Sequence, residues 1–146
     1  MFKLKDITVV VPTTLDNISK DWIKQINNYA KNKLSIIIVV PPNTISKKIS
    51  SMKFREEIKI LKSKFKGQVS QRQYGYMNTK TKLILQMDDD IYFDLKSLKG
   101  LLNIFGKLPE NSCLAPALKL NNNDLKNNIL FILRNIFLYF DFKPRP

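Results

Sequence analysis

Ile7-Thr-Val-Val-Val11, closed by Pro12, and Ser35-Ile-Ile-Ile-Val-Val40, closed by Pro41-Pro42, are the stretches that decide the fold. Each is a short run rich in β-branched apolar residues, without the polar alternation of a strand that has one wet face. Both therefore read as strands buried on both faces. Between them Ile18, Trp22, Ile26 and Tyr29 recur at three- to four-residue intervals across 16–31. That spacing predicts a helix with one apolar stripe, and Asp16, Asn17 and Ser19 are its candidate caps. Strand, helix and strand in so short a span make the βαβ unit of a parallel sheet, whose crossover is right-handed.

Working outward, residues 44–57 are mixed and basic and read as a loop with a short helix. Ile58-Lys-Ile-Leu61 fits a third strand, Gly67 a turn, and Ser70 to Thr79 a helix. Lys82-Leu-Ile-Leu-Gln-Met87 predicts a fourth strand that runs straight into Asp88-Asp89-Asp90. From Leu95 to Phe105 a further helix puts Leu98, Leu101, Leu102 and Phe105 on one face. Cys113 to Leu118 suggests another strand, and Asp124 to Phe140 a last helix. The latter is shorter than the ~20 apolar residues of a membrane span and is broken by Arg134 and Asn135, so it reads as a packed or interfacial amphipathic helix. The fold class expected is α/β and Rossmann-like, a mainly parallel sheet flanked by helices.

Composition bounds the chemistry. A chain of 146 residues with 44% hydrophobic content has material for one globular domain. The net charge of +13 raises phosphate-bearing ligands, nucleic acid or an anionic membrane as partners. The 25 basic residues are nearly all Lys and are dispersed from Lys3 to Lys143, the pattern of a solvated surface. With Cys113 the single cysteine and no His, disulfide frameworks, Cys/His zinc clusters and His-dependent triads are excluded. Chemistry falls to carboxylates, Lys, hydroxyls or a hard metal ion. Met1-Phe-Lys-Leu-Lys-Asp6 leads into a strand-like run without a signal-peptide pattern, giving a cytoplasmic expectation.

Three consecutive carboxylates at a strand end repel one another unless a cation or hydrogen-bond donors neutralise them. Acidic surface turns are common, so the run alone is unspecific. Its position is more telling, because open parallel α/β sheets bind ligands outside the carboxyl ends of their strands. A hard divalent ion sharing its coordination with a diphosphate suits such a site.

Gln71-Arg72-Gln73-Tyr74-Gly75, the apolar strand Leu83 to Met87 and Asp88-Asp89-Asp90 together resemble family 2 glycosyltransferases of the GT-A fold. In that family an Arg-Asn-x-Gly-like segment precedes an Asp-x-Asp-type motif, and Arg72 and Gly75 fall on matching positions. Ile7-Thr-Val-Val-Val-Pro-Thr13 is similar to the family's first strand and Pro-Thr turn, and the likeness spans about residues 6 to 105. It implies a nucleoside diphosphate sugar as ligand, with transfer to an acceptor that the sequence does not identify. Asp90 would hold Mg²⁺ or Mn²⁺ against the diphosphate, Asp88 would bond the ribose or sugar, and Asp89 would assist either. Pro12 and Thr13 would line the base and ribose pocket, and Arg72 would face the nucleotide. Gly75 would serve close packing or backbone freedom.

The division implied is a nucleotide-sugar-binding GT-A half over 1–120 and a C-terminal amphipathic helix and tail over 121–146. That tail is expected to be part of a truncated acceptor region, with a peripheral contact at the inner face of the membrane. Two departures stand out. Val40-Pro41-Pro42-Asn43 replaces the family's acidic turn after the second strand, and no segment matches the family's catalytic base, so none is assigned.

Three other readings compete. A haloacid dehalogenase-like phosphotransferase also carries Asp-x-Asp after a strand, but that motif opens its domain and continues with Gly-Thr, unlike Ile91-Tyr92-Phe93. A sugar nucleotidyltransferase would begin with a Gly-rich loop, which is missing beside Pro12. A basic module for nucleic acid or membrane surfaces would leave the aspartates structural. Nucleic acid is disfavoured because the aromatic residues do not interleave with Lys as a single-strand platform requires.

Overall fold

A computed structural model of the protein describes residues 2–16, 18–109 and 112–115. Its elements run β1 (Ile7–Pro12), α1 (Lys20–Lys31), β2 (Ser35–Val40), α2 (Ser46–Ser51), β3 (Lys59–Lys62), α3 (Gln68–Met77), β4 (Leu83–Gln86) and α4 (Leu95–Phe105), after a 3₁₀ turn at Leu4–Asp6. All four strands are parallel, in the order β3-β2-β1-β4. Val9 pairs with Ile36 on one side and Leu85 on the other, and Ile38 pairs with Ile60. This is an α/β, Rossmann-like fold.

Burial follows the strand order. Every residue of β1 is buried and so is every residue of β2 after Ser35, because these two strands are central and covered on both faces. β3 and β4 lie outside them, and in β4 the polar or open positions alternate with Leu83 and Leu85. Successive side chains sort to opposite faces. Ile7, Val9, Val11, Ile36, Ile38 and Val40 meet Trp22, Ile26 and Tyr29 of α1 and Leu98 and Leu102 of α4. Val10, Ile37 and Val39 meet Tyr74 and Tyr76 of α3.

The change of face has a topological cause. The chain steps from β1 to β2 to β3 in one direction with its helices on one face, then reverses to place β4 on the far side of β1. A right-handed crossover in the reverse direction puts α3 on the opposite face. The reversal lies between β1 and β4, and open α/β sheets collect their ligands at the carboxyl ends of strands where the order reverses.

Local chemistry moves some boundaries from those the sequence predicts. α1 starts at Lys20 rather than near Asp16: Ser19 caps it by accepting the Trp22 N–H at 3.0 Å, while the Leu15 N–H is taken by the Thr13 hydroxyl at 3.0 Å and Leu15 adopts φ 63°. Asp16 is held by Lys48 of α2. Gly67, at φ 105°, lets the chain turn directly into α3 two residues early, in a region closed to most side chains. β3 is displaced by one residue, with Ile58 buried just outside it.

The chain divides into two units, Met1–Ser112 and Cys113–Pro146. In the second only Cys113–Ala115 are described, without regular structure, and Cys113 is exposed. The remainder of the expected strand to Leu118 and the expected helix over Asp124–Phe140 lie outside the described residues. Among those described, no helix is long and apolar enough to cross a membrane.

Candidate functional site

The carboxyl ends of β1 and β4 are tied by side chains from three elements. Thr13 follows β1 and is buried; its N–H donates to the Val39 carbonyl at 3.0 Å, and its hydroxyl donates to Asp89 Oδ2 at 2.5 Å. The Thr13 hydroxyl oxygen also accepts the Leu15 N–H, so two bonds fix it. After β4, the Met87 N–H donates to the Val10 carbonyl at 3.1 Å, which continues the ladder to the residue before the carboxylates. The Ile91 N–H closes a turn onto the Asp88 carbonyl at 3.2 Å.

Arg72 reaches the same place from α3. Its Nη2 donates to Asp88 Oδ1 at 2.7 Å, with both side chains partly exposed. The Arg72 Nε is buried and has no hydrogen-bond partner among the described residues. One guanidinium donor is therefore turned inward while another neutralises a carboxylate, and a charged donor left in that state is costly unless something accepts from it.

The expected site residues do not play equal parts. Asp88 is taken by Arg72 and Asp89 by Thr13, whereas Asp90 is exposed and makes no side-chain hydrogen bond or ion pair among the described residues. Pro12 ends β1 opposite Val39 and is buried, directly before Thr13 in the chain. Gly75 sits where α3 touches the sheet. A Cβ there would collide with the Val10 Cγ1 methyl and come within 3.1 Å of Val39 Cγ2. Close packing is the role it fills.

Gln71 is the residue that sequence reasoning missed. It is buried, and its Nε2 donates to the carbonyls of Thr13, at 3.1 Å, and Val39, at 2.6 Å. It thereby ties α3 to the ends of both central strands, one residue before Arg72. A signal existed: Gln71 lies four residues before Gly75, on the same helical face, and a polar side chain on the face that touches a sheet needs a partner there.

Tyr29, from the apolar stripe of α1, fastens the chain that follows the carboxylates. The Tyr29 ring stacks on Phe93 with centroids 4.1 Å apart, its hydroxyl donates to the Phe93 carbonyl at 2.7 Å, and the Phe93 N–H donates back to it at 3.0 Å. Burial raises the Tyr29 phenol above its ordinary pKa of 10.0, so it remains a donor. Next in the chain, Asp94 caps α4 by accepting from the Ser97 N–H and hydroxyl, at 2.8 and 2.6 Å. Those bonds hold its carboxyl below the usual carboxylate range. Asp16, on the neighbouring loop, is lowered by Lys48 and Thr14 in the same way.

No group of three or more Asp, Glu or Cys side chains converges as a metal cage among the described residues. The Asp90 carboxylate and the second oxygen of Asp88 are taken by neither Arg72 nor Thr13, and one or two carboxylates are what a hard cation of the Mg²⁺ kind takes from a protein.

No protein-family model, no curated protein and no solved structure matches the chain.

Proposed function

We propose that the carboxyl ends of β1 and β4 bind the diphosphate of a nucleoside diphosphate sugar together with Mg²⁺ or Mn²⁺, and that the chain is the donor-binding half of a GT-A type glycosyltransferase similar to family 2. One observation carries this reading: Thr13 after β1 and Arg72 of α3 converge on Asp88 and Asp89 after β4, at the point where the strand order reverses. Ligands of open α/β sheets collect at such a point.

The division of labour follows from which side chains are already occupied. Asp90 and the outer oxygen of Asp88 would hold the cation. Bound there, it supplies positive charge that offsets the charge developing on a departing diphosphate. Thr13 holds Asp89 at fixed height, and Gln71 fixes the backbone beneath. Arg72 aims Asp88; its inward Nε is a donor available to a nucleotide oxygen after a small rotation of the guanidinium. No carboxylate among the described residues stands apart as an acceptor base, so the reading covers donor binding and leaves the base unassigned.

The test is nucleotide binding by calorimetry, with a panel of nucleoside diphosphates in Mn²⁺ and in chelator. Binding should require the metal and disappear in Asp90→Asn, with the unfolding midpoint unchanged. Equal binding by the variant would remove the metal assignment, and no binding of any nucleotide would remove the proposal.

A further inference from the structure

The carboxyl edge of the sheet is chemically divided. Along it the loops follow the strand order, and the half above β1 and β4 carries Asp16 and Asp88–Asp90. The half above β2 and β3 carries no carboxylate: residues 41–55 and 58–87 contain no Asp or Glu. Glu56 and Glu57 precede β3 and so lie toward the opposite edge. On this acid-free half Lys47, Lys62, Lys64 and Lys66 are all exposed.

The same half presents the most open apolar side chains of its region. Ile45 in the loop after β2 is 70% exposed, Phe65 in the loop after β3 is 72% exposed, and Val69 in the first turn of α3 is 77% exposed. The two loops are neighbours, since Lys62 Nζ donates to Ser46 Oγ at 3.3 Å. The Phe65 loop is shaped by its own backbone: Ser63 N–H donates to the Val40 carbonyl at 2.9 Å and Ser63 Oγ to the Phe65 carbonyl at 2.7 Å. Phe65 thus sits at a fixed tip with a lysine on each side.

We infer that this rim, Ile45, Phe65 and Val69 set among Lys47, Lys62, Lys64 and Lys66, docks on an anionic lipid bilayer. Apolar tips enter the boundary between headgroups and acyl chains while long lysine side chains reach back to lipid phosphates and carboxylates. A protein partner fits less well, because lysine is depleted at the centres of protein interfaces. Single-stranded nucleic acid fits less well too, because two of the three apolar side chains are aliphatic and offer no ring for a base to stack on. Docking in this way would set the acidic half of the rim, and with it the candidate site, beside the bilayer surface. The inference does not depend on what that site binds.

The test is flotation of the full chain with vesicles of phosphatidylcholine containing about 30 mol% phosphatidylserine, against phosphatidylcholine alone. Binding is expected to the anionic vesicles only and to weaken with salt. Lys64→Ala/Lys66→Ala should lower the affinity about thirty-fold. Ile45→Ser/Phe65→Ser should lower it about tenfold or more. Lys31→Ala/Lys59→Ala, which removes the same charge near the opposite edge, should bind as wild type. All positions are exposed, and matching circular dichroism would show the folds to be equal. Unchanged flotation of the rim variants would overturn the inference, as would an equal loss in the opposite-edge variant. Retention on single-stranded DNA without vesicle binding would also overturn it.

Discussion

Gly75→Ala separates the packing account of α3 from a mere helix-propensity account, because the two have opposite signs. In an open helix, replacing Gly by Ala stabilises by about 0.5–1 kcal/mol. Here the added methyl enters the Val10 Cγ1 methyl and presses on Val39 Cγ2 at 3.1 Å, and both valines are fully buried in central strands that cannot retreat. Overpacking of that kind costs about 1–3 kcal/mol, so the net expectation is a destabilisation of about 0.5–2 kcal/mol. For a domain of this size that lowers Tm by a few degrees, about 3–4 °C per kcal/mol. The displacement should also reach the site, since Gln71 and Arg72 lie one turn away on the same helix and would be lifted from Thr13, Val39 and Asp88. Urea unfolding with nucleotide titration reads both effects. A variant more stable than wild type, with binding intact, would refute the close approach of α3 to the sheet.

Other outcomes follow from single contacts. Gln71→Leu keeps the volume but leaves the Thr13 and Val39 carbonyls without their buried donor, and should destabilise by about 1–3 kcal/mol in urea unfolding. Arg72→Met should weaken nucleotide binding while changing the unfolding midpoint little, since the ion pair with Asp88 is partly exposed; calorimetry beside urea unfolding separates the two effects. Tyr29 gives a pH dependence of known sign. Its pKa is raised on folding, so the folded state keeps a proton that the unfolded state loses above pH 10.0. Its contribution is complete below that pH and is lost as pH rises through the folded pKa. Tyr29→Phe should flatten this alkaline fall in thermal melts. Ser19→Ala, which removes the α1 cap, should cost about 1 kcal/mol by the same assay.

What the sequence made legible was whatever depends on unbroken local pattern. Ser35–Val40 and Leu95–Phe105 have the predicted ends, because a β-branched run closed by prolines and a leucine stripe capped by Asp94 each carry their own boundaries. The start of α1 was not legible, because Asp16 is a good cap by type and is diverted by Lys48, 32 residues away. At the site, the sequence brought attention to Thr13, Arg72 and Asp88–Asp90, and the fold gathers all of them at one edge of the sheet. It could not say which carboxylate is already occupied. That depends on Thr13 and Arg72 arriving from 76 and 16 residues away, and it singles out Asp90 as the free one. The bonds of Gln71 and of the Tyr29 hydroxyl were not legible for the same reason: their partners are backbone groups of distant strands and loops, which no side-chain pattern records.

The central claim is that the carboxyl ends of β1 and β4 are where a nucleoside diphosphate and a divalent cation meet. Amide chemical-shift mapping of the full chain, titrated with a nucleoside diphosphate and Mg²⁺, tests it most directly. Shifts concentrated at Thr13, Arg72 and Asp88 to Ile91, and lost when the metal is withdrawn, are the result expected. Shifts at the groove of Phe54 to Glu57, near the other edge of the sheet, or no metal-dependent shift at all, would contradict it.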